Sequence, residues 1–187
     1  MSTVRAFARL LAPTLLLLGI LGPPAMAAEA EGDFRLVTPD DAGDLNAGIK
    51  VSPRVNLSDL GLPAYPGATR RRDKEDDVPA VSLGLWGGIF GLKLAVIKYR
   101  SHDDFERVVG FYRDALAHYG PVLDCSRGAA PIEKAPEKDS LDCDDDKARA
   151  GERVFKVGTK TNQRIFSARE VEGEVHFELV YVRLKGV

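Results

Sequence analysis

The sequence predicts an α+β fold: an antiparallel β-sheet with one main amphipathic helix packed on a face. Three observations carry the prediction. Residues 101–120 place apolar side chains at helical spacing. Several shorter stretches before and after them run apolar or alternate as strands do, with Gly-containing turns between neighbours. Their order, ββ-α-ββββ, suits a meandering antiparallel sheet crossed by a helix.

The chain opens with an address. Arg5 and Arg9 make a positive segment, residues 10–22 form an apolar run of 13 residues, and Pro23-Pro24 is followed by Ala25-Met26-Ala27. That order of features is a secretory signal peptide, cleaved after Ala27. The apolar run falls short of the roughly 20 residues that span a bilayer; an uncleaved N-terminal anchor is the alternative. No Cys stands near the cleavage point to take a lipid, and the two Arg are not adjacent as twin-arginine export needs. Cleavage would remove two basic residues and no acid, taking the net charge from −2 to −4 and the length from 187 to 160 residues. Such a length makes one domain with a real core. With 44% hydrophobic and 29% charged residues, a disordered chain and a multi-span membrane protein are both excluded. The near balance of charge gives no case for nucleic acid.

Residues 28–60 read as an extended leader, mixed in sign and interrupted by Pro39 and Pro53, with Val51 to Leu57 as an optional edge strand. Asn56-Leu57-Ser58 spells a glycosylation acceptor, a short pattern common by chance. A single α+β domain is expected over 61–187. It begins with GLPAYPGAT, where Pro66-Gly67 is a turn signal because Pro fixes φ and Gly accepts a positive one. The run Arg70 to Asp77 has three Arg that resemble a phosphate patch, but four acids follow, so a solvated connection is the reading.

Residues 81–99 form a predicted hairpin about Gly87-Gly88. Its second strand is apolar on both faces except at Lys93 and Lys98, the pattern of a central strand with one face on the core and the other partly covered. The tip, with Leu85, Trp86 and Phe90, is expected in the core; a peripheral membrane contact is its rival use. The helix follows, with Ser101 as N-cap, Asp103 and Asp104 favoured by the helix dipole on its first turn, and a stripe of Phe105, Val108, Val109, Tyr112, Ala115, Leu116 and Tyr119. Gly120-Pro121 ends it. Four strands remain: Pro121–Asp124, Arg153–Val157, Arg164–Arg169 and Glu174–Leu184, the last two joined at Glu172-Gly173.

Export makes Cys125 and Cys143 informative, because oxidising compartments pair thiols. The aperiodic, Pro- and charge-rich stretch between them reads as a loop closed by a disulfide, worth roughly 3 kcal/mol on chain-entropy grounds. A metal site and a redox pair are less well served, since no His stands near either Cys and the spacing is not C-x-x-C.

The search for chemistry returns no catalytic, metal or cofactor set. His102, His118 and His176 show no i, i+4 pairing. Ser101-His102-Asp103 has the letters of a triad, but neighbours in a cap cannot meet as nucleophile, base and orienter. Asp142, Asp144, Asp145 and Asp146 cluster beside Cys143, yet the sixth and twelfth positions counted from Asp142 are Lys147 and Arg153, not the Gly and Glu of a calcium loop. Residues 158–164 are polar and read as a hairpin connection.

The segment Pro63-Ala64-Tyr65-Pro66-Gly67-Ala68, then a strand, then Val109-Gly110-Phe111-Tyr112-Arg113 with Leu116, resembles a group of uncharacterised exported bacterial proteins over roughly residues 60–185. The resemblance implies a small exported α+β domain and carries no activity or site residues. The expected function is a non-enzymatic exported domain that binds a partner, envelope component or small ligand. The alternatives are a periplasmic hydrolase assembled from scattered carboxylates and a His, and a surface-associated protein using the Leu85–Leu92 hairpin.

Overall fold

The computed structural model describes residues 32–36 (by backbone alone), 47–74, 77–127, 139–144 and 148–186. The expected signal peptide and much of the Cys125–Cys143 loop lie outside them. The strands are β1 (Gly32–Leu36), β2 (Ala47–Ser52), β3 (Thr69–Arg70), β4 (Ala80–Gly87), β5 (Phe90–Ser101), β6 (Leu123–Asp124), β7 (Arg153–Thr159), β8 (Asn162–Val171) and β9 (Glu174–Lys185). Two helices, α1 (Leu57–Leu60) and α2 (Phe105–Ala117), complete the described elements. The chain is therefore mostly antiparallel β-sheet with little helix. Every pairing is antiparallel, in the order β1-β2-β4-β5-β9-β8-β7-β6, with β3 beside β5.

Two of the predicted turns are in place. Ala68 N–H donates 3.2 Å to the Tyr65 carbonyl across Pro66-Gly67, with Gly67 at φ +74°. Glu172-Gly173 turns β8 into β9, both at positive φ. The β4–β5 turn sits one residue later than expected: Gly87 pairs with Phe90, so Gly88 and Ile89 form the loop. Gly88 takes φ +56°, which a glycine adopts without strain.

The leader is corrected more deeply. Ala47–Ser52 pairs along its whole length with β4, and Val55 and Leu60 are fully buried. This strand escapes a periodicity reading because Gly48 and Lys50 point to the core side, while Ile49 and Val51 stay 44% and 41% exposed on the other. Gly48 suits this position, since a Cβ would run into the Trp86 indole.

Ser101 closes β5 rather than capping the helix. Its Oγ accepts from Asp103 N–H at 3.1 Å, and Asp104 is the N-cap, accepting from Arg107 N–H at 3.0 Å. Asp is as good a cap as Ser, and the nearer one wins. From the stripe, Val108, Val109, Tyr112 and Leu116 are buried, while Tyr119 lies past the helix and is exposed. They share one core with Ile97, Tyr99, Phe155, Val157, Phe166, Phe177 and Leu179. Tyr112 stacks on Phe166 at 5.0 Å and meets Phe177 at 5.3 Å. Apolar burial of this kind supplies about 25 cal/mol per Å². The Tyr112 hydroxyl escapes isolation by donating 3.3 Å to the Pro63 carbonyl.

Cys125 and Cys143 stand at disulfide-bonding distance, Cα atoms 5.3 Å apart. The bond links the end of β6 to residues 139–144.

Candidate functional site

Side chains alternate across a pleated sheet, so one face follows from the other. The row that faces the core is Ala95, Ile97 and Tyr99 on β5, Val175 to Tyr181 at odd positions on β9, Phe166 and Ala168 on β8, and Phe155 and Val157 on β7. The residues between them form the outer row, and this row is also apolar. Val81, Val96, Val180 and Ile165 stand in register across four strands; Leu83, Leu94 and Val182 form the next line; Leu85, Leu92 and Leu184 the next. All ten are half-buried, screened by each other rather than sealed. On the core-facing row, Arg164, beside Tyr181, donates 2.7 Å to the Leu60 carbonyl, and Tyr112 stacks on Phe166.

One register step beyond Val96 the outer row turns charged. Lys98, Glu178 and Ser167 line up, then Arg100, His176 and Arg169. Arg71, from the segment after β3, lies against this end. It is 6% exposed, pairs with Asp73, and places its other terminal nitrogen 3.1 Å from Glu178. Its Nε is buried without an acceptor among the described residues. Lys98 Nζ holds Asp73 at 2.7 Å and Asp77 at 2.8 Å. The Lys98 hydrogen bond holds the Asp77 carboxyl below the usual range. A cleft of about 420 Å³ runs along this boundary; its charged lining is Arg71, Arg149, Glu152, Arg169, His176 and Glu178, and its apolar floor includes Val154, Ile165 and Val180. Burial, then the Arg71 charge, push the His176 imidazole below its ordinary pKa.

The run Arg70 to Asp77 is thus no plain solvated connection. Arg70 donates 2.6 Å to the Val55 carbonyl, and Arg71 enters the cleft. The sequence signal for this face is the second hairpin strand, apolar on both sides, whose outer side is expected to be partly covered.

The predicted candidates scatter. His102 and His176 both approach Glu174, each at 3.4 Å, with His102 exposed. His118 is elsewhere, its Nδ1 3.0 Å from the Asp114 carbonyl oxygen. Asp103 is taken by Tyr65 and Arg107, so Ser101-His102-Asp103 has cap and turn partners. Asp142 pairs with Lys160 at 2.9 Å, and its carboxyl is held low by that hydrogen bond; Asp145 and Asp146 lie outside the described residues. Among the described residues no group of three His, Cys, Asp or Glu side chains could hold a metal ion. In the 158–164 stretch, Thr159 pairs with Asn162 about a two-residue turn.

The hairpin tip departs from the expected core position. Trp86, Phe90 and Ile89 are 37%, 58% and 78% exposed. The tip continues the outer row, since Phe90, Leu92, Leu85, Ile49 and Leu184 line one apolar cleft of about 400 Å³. Among the described residues no helix is long and apolar enough to cross a membrane.

No family model, no curated protein and no solved structure matches the chain.

Proposed function

We propose that this is an exported, non-enzymatic binding domain whose site is the outer face of its sheet. The observation that carries the reading is the outer row itself: ten apolar side chains on β4, β5, β8 and β9, half-exposed at alternate positions opposite a sealed core. An apolar patch left open in a folded chain marks an interaction surface. In this reading α2 is the layer that closes the inner side, the α+β arrangement expected from the stripe. The likeness of Pro63–Ala68 and α2 to exported bacterial proteins accords with it, as does a cysteine pair at bonding distance.

The hydrolase alternative draws on the contact of His176 and His102 with the single carboxylate Glu174, each at 3.4 Å. A fluorescent apolar probe, anilinonaphthalene sulfonate, tests the binding reading. The folded chain from residue 28 should enhance its emission, and Leu94→Asp or Val180→Asp, with unchanged circular dichroism, should abolish the effect. No enhancement, or enhancement indifferent to both changes, would overturn it.

A second reading rests on the exposed tip. Ile89 and Phe90 project at the apolar end of the same face, where a membrane surface would meet them. Co-sedimentation with anionic vesicles, lost in Ile89→Asp/Phe90→Asp, would support this use.

A further inference from the structure

We infer that the occupant of the outer face is a single-chain, monoanionic amphiphile with a carboxylate head, its head at the arginine end and its chain lying toward the hairpin tip. The inference rests on the binding reading above and deepens it.

Three features of the face select this class. The first is polarity along one axis. From Leu92 to Val96 on β5, and from Leu184 back to Val180 on β9, the outer row is apolar; from Lys98 and Glu178 onward it is charged. At about 3.3 Å per residue, the run from Leu92 to Lys98 is about 20 Å long, a length suited to an extended hydrocarbon chain with one wet end. A wholly apolar ligand would leave the charged end unmatched, and a wholly polar one would leave the rest bare.

The second is the hydrogen-bond inventory of the arginine end. Each acid of the cleft has one donor: Glu178 Oε1 accepts from Arg71, and Glu152 Oε2 accepts from the Arg149 backbone N–H at 2.8 Å. The donors are in surplus. The guanidinium groups of Arg149 and Arg169 have no acceptor among the described residues, and Arg71 Nε is buried without one. A buried donor left unpaired is costly, so an acceptor oxygen placed at Arg71 Nε would be favoured. Arginine forks favour planar bidentate acceptors, which a carboxylate supplies.

The third is charge and size. Three arginines and two glutamates line the cleft, and Asp73 is a further acid on Arg71. A monoanion adds one negative charge to this balance, whereas a phosphate dianion adds two. At about 420 Å³ the cleft takes the head and, over Val154, Ile165 and Val180, the first part of the chain, with the rest lying along the open row.

Titration calorimetry on the delipidated chain from residue 28 tests this, with palmitate, hexadecanol, acetate and phosphatidylglycerol vesicles as probes. Palmitate should bind at least tenfold more tightly than hexadecanol, and acetate should give no heat. Arg149→Gln/Arg169→Gln should cut palmitate affinity about tenfold and leave hexadecanol unchanged; both residues are exposed, so the fold is retained. Equal binding of palmitate and hexadecanol would overturn the carboxylate assignment and leave the binding reading standing. Binding to vesicles but not to free palmitate would overturn it in favour of the membrane-surface use. Binding of neither single-chain probe, or binding indifferent to Leu94→Asp, would take down both this inference and the reading beneath it.

Discussion

The Tyr65 hydroxyl donates a 2.7 Å hydrogen bond to Asp103 Oδ2, joining the Pro66-Gly67 turn to the start of α2 across 38 residues. Each partner bears the mark of the bond. Burial first, then Asp103, push the phenol up to about 12, while the Tyr65 hydrogen bond first, then the Asp104 N–H, hold the Asp103 carboxyl below its usual range. The signs differ. A depressed carboxyl pKa contributes stability above the unfolded value and loses it as pH falls through the folded one. A raised phenol pKa contributes stability below about 10 and loses it as pH climbs toward about 12. Tyr65→Phe should raise the Asp103 carboxyl pKa, read by carbon NMR titration, and flatten the stability profile at both extremes. An unmoved Asp103 would contradict the bond.

The two sides of the sheet should respond differently to truncation. Tyr112 is wholly buried among Phe166, Phe177 and Phe111, so Tyr112→Ala should cost about 3–5 kcal/mol in chemical denaturation. Leu94, half-buried on the outer row, should cost about 1 kcal/mol or less on change to Ala. Equal losses would mean that the outer row is sealed like the inner one.

Reduction should loosen the fold without emptying the core. Cys125→Ser/Cys143→Ser should lower the unfolding free energy by roughly 3 kcal/mol, the loop-closure value for a separation of 18 residues. A denaturation midpoint unmoved by reductant would show that the pair staples nothing.

His176 reports on the arginine end. Because burial and Arg71 disfavour its cation, its NMR titration midpoint should lie below the ordinary 6.5. A depressed histidine pKa means that the unfolded chain takes up the proton first, so its stability contribution is held above 6.5 and lost as pH falls through the folded value. Arg71→Gln should raise the midpoint, leaving the part due to burial. A midpoint above 6.5 in the parent chain would contradict the burial of this ring.

Local chemistry made much of this structure readable in the residues. The period of Val108, Val109, Tyr112 and Leu116, the Pro66-Gly67 and Glu172-Gly173 turns, and the alternation along β9 all depend on neighbours within a few positions. What escaped depends on partners far away. Arg71 is defined by Glu178, 107 positions on, and without that contact it reads as one more charge in a polar run. Strand β2 is defined by its pairing with β4, which puts Gly48 under Trp86. The open face was implied by β5 being apolar on both sides, but the arginine end follows only from the register of β5, β8 and β9, which no single segment carries.

Methyl NMR with palmitate bears most directly on the outer face. Added palmitate should shift the methyls of Leu94, Val96, Val180 and Val182, and leave those of Ile97, Val108 and Leu179 in place. Undisturbed outer methyls, or shifts confined to the groove between Gly61, Phe111 and Tyr119, would contradict the assignment of the outer row as the binding surface.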